Sequence, residues 1–226
     1  MVRRTKEEAL ATRAQLLDSA EILFQKQGVA RTSLNDIAGH AGLTRGAIYW
    51  HFQDKADLFN AMMERVTLPL EQSFEALAQD GGGPLEIVRQ GLLEALHRIA
   101  NDPQTRRVIE VATQKVEYVD ELQAVRSRHR TVRDGFVARV EQGLRLQSQL
   151  QRHTLPMDAL TAAHGLHGMV DGLIQNWLLA PEEFDLLSVG RAAIDIYLTG
   201  LGFEVADSAV EDGALLPSRG FPPSRE

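Results

Sequence analysis

Cysteine is absent from the 226-residue chain, which excludes disulfides and any zinc or iron–sulfur site held by thiolates. Nor is there an apolar run long enough to span a bilayer. The most apolar stretch, residues 169–180, is broken by Asp171, Gln175 and Asn176, so no membrane partner is expected. Arg3 and Arg4 lead into charged helix formers and not into the apolar core of a secretion signal, which makes the cytoplasm the expected compartment. The local signatures of catalysis are missing as well. There is no Gly-x-Ser-x-Gly elbow, no Walker glycine loop and no dinucleotide fingerprint, so neither catalytic residues nor a cofactor are expected. Strand-like alternation and internal repeats are lacking too, and the chain reads as all-α.

Basic residues are in deficit overall, with a net charge of −7, but the deficit is uneven. Residues 1–55 hold eight basic and six acidic side chains, which leaves 16 basic and 25 acidic residues beyond them, of 24 and 31 in all. A mildly basic N-terminal unit is thus joined to an acidic body, a distribution that confines contact with a polyanion to one end.

That N-terminal unit holds the most informative segment of the chain. Residues 32–52 read as two short helices joined by a glycine turn. Ser33 is placed to cap the first helix, and Asp36 stands three residues on at capping-box spacing. Gly42 supplies the turn, and Thr44 is placed to cap the second helix. Ile48 and Phe52, four apart, point inward, while Arg45, Gly46 and Tyr49 share another face, which offers no aliphatic side chain for burial. Arg45 has the donors to bridge guanine O6 and N7 or to pair with phosphate, and Tyr49 and His51 carry polar tips suited to phosphate oxygens. Lys55 follows at the start of the next helix, where Asp54 is a candidate cap. A glycine inside a helix costs about 1 kcal/mol against alanine. Gly46 therefore either relieves a helix–helix contact or allows close approach to DNA. Together these features describe a helix-turn-helix that reads double-stranded DNA.

Outside this segment the pattern predicts helices over residues 6–27, from 55 to 79 with a kink or break at Pro69, and over 85–100, 104–117, 121–150, 156–179 and 186–203. Gly81-Gly82-Gly83-Pro84 is the clearest break. The expected organisation is a three-helix DNA-binding domain at 1–55, a larger helical domain at 56–205 for effector binding and dimerisation, and a tail at 206–226 expected to be disordered, since from Gly213 onward it is rich in Gly, Pro, Ser and Arg. The last two predicted helices are rich in small and apolar residues, among them Ala162, Ala163, Gly165, Gly168, Ala192, Ala193, Ile196 and Leu201. They are expected to form a homodimer seam as a four-helix bundle across a two-fold axis.

The run from Leu10 to Phe59 resembles the DNA-binding domain of the TetR family of bacterial repressors. The segment from Thr44 to Phe52 and the opening from Arg3 to Ala9 are similar to its branch that controls multidrug efflux pumps, and the similarity returns from Val170 to Pro181. The resemblance implies a homodimeric, all-helical repressor whose C-terminal domain binds a small molecule and releases operator DNA. It assigns DNA contact to Ser33, Thr44, Arg45, Gly46, Tyr49, Trp50, His51 and Lys55. It matches Val66, Val88, Leu92, Ile109, Thr113, His167, Val170, Asp171, Ile174 and Gln175 to positions lining an effector pocket. Such a set mixes aliphatic walls with sparse polar groups, as a site for bulky hydrophobic or amphiphilic compounds requires, although Val88, Leu92 and Ile109 serve equally well as plain core. The branch pattern His-Lys-Cys-Glu-Phe is replaced here by Gln114-Lys115-Val116-Glu117-Tyr118, so ligand identity does not carry over.

The expectation is a ligand-responsive repressor of a multidrug efflux operon, bound to a palindromic operator as a dimer and carrying no cofactor. Two alternatives stand beside it. One is a TetR-type regulator of a metabolic operon with a dedicated metabolite effector. The other is a metal-dependent enzyme or metal sensor built on His164, His167 and Asp171, which fall at three- and four-residue steps on one helix. No cysteine or second carboxylate cluster lies nearby in sequence to complete such a metal site.

Overall fold

A computed structural model describes residues 6–79, 81–116 and 123–205, with nine α-helices and no strand among the described residues. In chain order the helices are α1 Lys6–Gln27, α2 Leu34–His40, α3 Arg45–His51, α4 Lys55–Gln79, α5 Pro84–Asn101, α6 Pro103–Gln114, α7 Gln123–Gln151, α8 Ala159–Leu179 and α9 Leu186–Gly200. The expected tail at 206–226 lies outside the described residues.

Local chemistry sets most of these boundaries. Asp102 accepts from the backbone N–H groups of Gln104 and Thr105, both at 3.1 Å, and so starts α6 immediately after ending α5. The helix expected from Pro156 begins three residues later, because the Asp158 carboxylate takes the Thr161 N–H at 2.9 Å. The helix expected to reach Phe203 stops at Gly200. There Gly202 adopts φ +90°, and the Phe203 and Gly202 N–H groups turn back onto the carbonyls of Leu198 and Thr199. The helix expected to reach Glu117 ends at Gln114, and the Lys115 carbonyl leaves the helix to accept the Val29 N–H at 3.0 Å. Pro69 does not interrupt α4, which runs unbroken from Lys55 to Gln79.

Two buried clusters organise the packing. The first joins α1, α2, α3 and α4 as far as Val66, and it also takes in Val108, Val111 and Ala112 from α6. The second is built from α5, α7, α8 and α9. Ile109 of α6 packs against the second cluster while its neighbours Val108 and Val111 belong to the first. Helix α6 is therefore shared between them. Helix α4 also reaches both regions, since Phe74, near its end, meets Phe136 of α7 edge to face with ring centroids 6.3 Å apart.

Candidate nucleic-acid interface and effector site

The reader is held by its caps and by two inward anchors. Ser33 and Asp36 form a reciprocal capping box: the Ser33 N–H donates to Asp36 Oδ2 at 2.9 Å, and the Asp36 N–H donates to Ser33 Oγ at 3.2 Å. Hydrogen bonds from the Ser33 side chain and backbone hold the Asp36 carboxyl below the usual carboxylate range. After α2, Gly42 takes φ +66°, and the Gly42 and Leu43 N–H groups return to the carbonyls of Gly39 and Ala38. A residue with a side chain is strained in that left-handed conformation, so the turn between α2 and α3 depends on glycine. Gln15 of α1 donates to the Ala41 carbonyl at 2.8 Å and braces the turn from behind. Thr44 caps α3 by accepting the Ala47 N–H at 3.2 Å. Ile48 and Phe52 are fully buried in the first cluster, and burial of each side chain contributes roughly 1.5–3 kcal/mol to holding α3 in place.

What remains of α3 faces out. Arg45, Gly46, Tyr49 and Trp50 are all exposed, Trp50 at 72%. The Arg45 guanidinium lies over the Tyr49 ring at 5.4 Å, an arrangement that stiffens both side chains. His51 is half-buried, with its ring edge-on to Trp50 at 4.5 Å. A Cβ added at Gly46 would meet only Thr44 Oγ1, at 3.9 Å. No neighbouring helix crowds Gly46, so of the two readings open for it, relief of an internal contact is removed. Lys55 has a second task besides any contact with DNA. Its Nζ donates to the Val29 and Ala30 carbonyls at 2.8 and 3.0 Å, tying the α1–α2 connection to the start of α4. As expected, Asp54 caps α4 by accepting the Asp57 N–H at 2.8 Å.

The residues matched to effector positions are spread over four helices. Val66 lies in the first cluster, on the reader side, whereas Val88, Leu92 and Val170 lie in the second, with Ile109 and Ile174 packed against it. His167 meets Phe136 with ring centroids 5.5 Å apart, extending the Phe74–Phe136 contact into a chain of three rings. Thr113 is half-buried on α6, its hydroxyl donating to the Ile109 carbonyl at 2.9 Å. Asp171 is half-buried, and Gln175 is exposed with its amide donating to the Asp171 carboxylate. A cleft of about 390 Å³ opens elsewhere, where the end of α5 meets the α8–α9 connection, lined by Asn101, Trp177, Phe184 and Asp185 among others, and it shares no residue with the matched set. No group of three His, Asp or Glu side chains able to hold a metal ion occurs among the described residues. The metal reading of His164, His167 and Asp171 is therefore corrected: helical spacing puts them on one side of α8, but their side chains do not converge.

The residues named for the expected seam divide between the two sides of α8 and α9. Ala162, Ala163 and Leu201 are buried inside the subunit, in the second cluster, and Gly165 faces the Tyr197 hydroxyl, which itself donates to the Ala162 carbonyl at 2.9 Å. Gly168, Ala192 and Ile196 are exposed, together with Leu179 and Val189. The outward face of α8 and α9 thus keeps only some of the residues that composition singled out and adds Leu179 and Val189 to them.

Sequence reasoning missed the polar junction behind the reader. Glu21 of α1, 1% exposed, receives Arg65 of α4 at 2.8 Å and the Gln104 amide of α6 at 3.1 Å, with Arg107 of α6 at 3.7 Å. Arg65 also pairs with Asp18 at 2.7 Å. A carboxylate set between Leu17 and Phe24 on the buried stripe of α1 was the available signal.

A capped helix-turn-helix whose second helix turns an arginine, a glycine and two aromatic rings outward, carried on an all-helical body, defines a DNA-reading regulator. The chain belongs to the TetR family of bacterial regulatory proteins: that family's model matches residues 16–62, and the model of the MAATS-type transcriptional repressor C-terminal region matches residues 83–203. It is 42% identical over 210 residues to the HTH-type transcriptional regulator TtgR of Pseudomonas putida, an alignment covering 89% of this chain and 95% of that protein. Among solved structures it is similar to NalD, the secondary repressor of the MexAB-OprM multidrug efflux pump in Pseudomonas aeruginosa. There the TM-score is 0.78 and the identity 35%, over 85% of this chain and 98% of NalD. SmeT, the repressor of the Stenotrophomonas maltophilia multidrug efflux pump SmeDEF, is likewise similar: its complex with triclosan matches with a TM-score of 0.77 and 30% identity, over 92% of this chain and all of that one.

Proposed function

We propose that this chain represses a multidrug efflux operon by binding a palindromic operator as a homodimer, and that a hydrophobic or amphiphilic small molecule releases it. The carrying observation is the outward face of α3, where Arg45, Gly46, Tyr49 and Trp50 have no intramolecular burial to serve while Ile48 and Phe52 fix the helix from behind. A dimer would set two such helices in successive major grooves, about 34–36 Å apart. The reader is assigned to about residues 1–55 and the effector and dimerisation body to 56–205, with α4 and α6 entering both. The relatives that repress efflux pumps, one of them crystallised with triclosan, support the pathway and the ligand class. The chain acts by binding, and effector shifts the population between two spacings of the readers.

Two measurements test this reading. Arg45→Ala should cost about 1–3 kcal/mol in discrimination between operator and mutated operator, if the arginine bridges guanine. Gel-shift titrations of wild type and variant against matched and mismatched duplexes measure that cost, and equal discrimination by both proteins removes Arg45 from base readout. Calorimetry with triclosan and a panel of hydrophobic antimicrobials, on free protein and on the operator complex, should return one reciprocal coupling factor. Binding without a change in operator affinity, or no binding at all, leaves the metabolite-regulated alternative as the better account.

A further inference from the structure

The contact between α1 and α6 is half apolar and half polar, and the polar half has its own order. Glu21 and Gln25, four residues apart on α1, face Gln104, Arg107 and Glu110 at three-residue steps on α6, while Asp18, three residues before Glu21, pairs with Arg65 of α4. Glu21 takes the Arg65 guanidinium of α4 at 2.8 Å, the Gln104 amide at 3.1 and 3.3 Å, and has Arg107 at 3.7 Å. One turn further, the Gln25 amide donates to Glu110 Oε2 at 2.7 Å. Apolar surfaces tolerate sliding. Hydrogen bonds to a buried carboxylate do not, because moving α6 along α1 would strip an enclosed charge of its partners, at several times the cost of an exposed pair. Burial pushes the Glu21 carboxyl above its ordinary range, against the pull of Arg65, the Gln104 hydrogen bond and Arg107.

We propose that Glu21 is a positioning residue that fastens the DNA reader to α6, so that displacement of α6 is passed to α3 and not dissipated by slippage between α1 and α6. The proposal deepens the ligand-responsive reading above and rests on it for its purpose, but its structural content concerns the reader and α6 alone. Three elements meet at this one carboxylate: α1, which braces the helix-turn-helix through Gln15; α4, which runs to the body; and α6, which is shared by both clusters. Without the Glu21 carboxylate, the apolar half of the contact through Val108, Val111 and Ala112 still holds α1 and α6 together, but the register is left to the Gln25–Glu110 bond and the Val29–Lys115 backbone bond at its far end.

Hydrogen–deuterium exchange of the full chain, alone and with an operator selected from random duplexes, tests this without any effector. Operator binding should slow exchange across α6 of the wild type by a factor within the usual span of coupled sites, about 5- to 150-fold. In Glu21→Leu the slowing should fall toward one, with operator Kd kept within about threefold, because the outward face of α3 is untouched. Arg65 and Arg107 are 25% and 31% exposed and Arg65 keeps Asp18, so removal of the carboxylate leaves neither guanidinium enclosed, which favours a folded variant. Arg107→Gln attacks the same contact from α6 and should give the same loss if Glu21→Leu does not fold. Equal slowing in wild type and variants, or no slowing in wild type, overturns the proposal. Effector release is scored separately. A wild type that ignores the hydrophobic panel yet shows Glu21-dependent slowing defeats the effector reading and keeps the latch, while equal release of wild type and variant by the panel does the reverse.

Discussion

At position 46 the missing side chain has no internal cause, since a methyl group there would meet only the Thr44 hydroxyl oxygen at van der Waals distance. Stability and the proposed contact with DNA are therefore expected to pull apart at this residue. Gly46→Ala should raise the stability of the isolated protein by up to about 1 kcal/mol, the usual helical penalty of glycine, and should weaken operator binding by standing the reader off its target. Denaturant midpoints and gel shifts on the same preparations check both signs; a variant that is both more stable and binds as tightly would show that nothing approaches α3 closely at this point. The capping residues Ser33, Thr44 and Asp54 were legible because a cap and its target lie three residues apart, within the reach of a local pattern. Lys55 was read only in part. The carbonyls it holds, on Val29 and Ala30, stand more than twenty positions earlier, and no spacing rule connects them. For Glu21 the partners lie on α4 and α6, so its burial was visible as a misfit in an apolar stripe but its purpose was not.

Among the elements, the elbow between α5 and α6 is the most economical junction, because Asp102 ends one helix and starts the next. Hydrogen bonds from Thr105, with that residue's and Gln104's backbone N–H groups, hold the Asp102 carboxyl below its ordinary range. A depressed folded value means that the stabilisation is present above the unfolded carboxylate range and is lost as pH falls through the folded value. Asp102→Ala should thus cost about 1 kcal/mol near neutrality, and the difference from wild type should shrink below about pH 4. Denaturant midpoints collected from neutral to acid pH measure it; a gap that stays constant to the lowest pH would show that the cap does not act through its charge. Helix ends were the least legible part of the fold for a related reason. Lys115 leaves α6 early to meet Val29, and Gly202 turns α9 back short of Phe203. In the first case the decisive partner is far away in sequence, and in the second the glycine outranked an apolar pattern that continued past it.

For the proposed homodimer, the outward face of α8 and α9 is the expected seam, separate from the buried core. Ile196 is 73% exposed, and Gly168, Ala192 and Val189 lie open on the same two helices. Ile196→Glu should produce monomers that keep their helix content but lose operator affinity, because one reader alone spans a single half-site. Light scattering and circular dichroism decide the matter, and a variant that remains dimeric places the seam elsewhere. Composition pointed to these two helices as the expected seam, yet it could not separate residues facing out from Ala162 and Ala163, which face in, because small side chains serve close packing on either side of a helix.

Of the two tryptophans of the chain, one stands on α3 and the other in the buried core of the body. Trp50 lies open to water on α3, whereas Trp177 is enclosed near the end of α8 with the Arg106 guanidinium 4.6 Å from its ring centre. Indole emission moves to longer wavelengths in water and to shorter ones in an apolar enclosure. The protein should thus carry two native optical reporters, with the emission of Trp50 on α3 expected at longer wavelength than that of the enclosed Trp177 in the body, so that events at its two ends could be followed without attaching a dye.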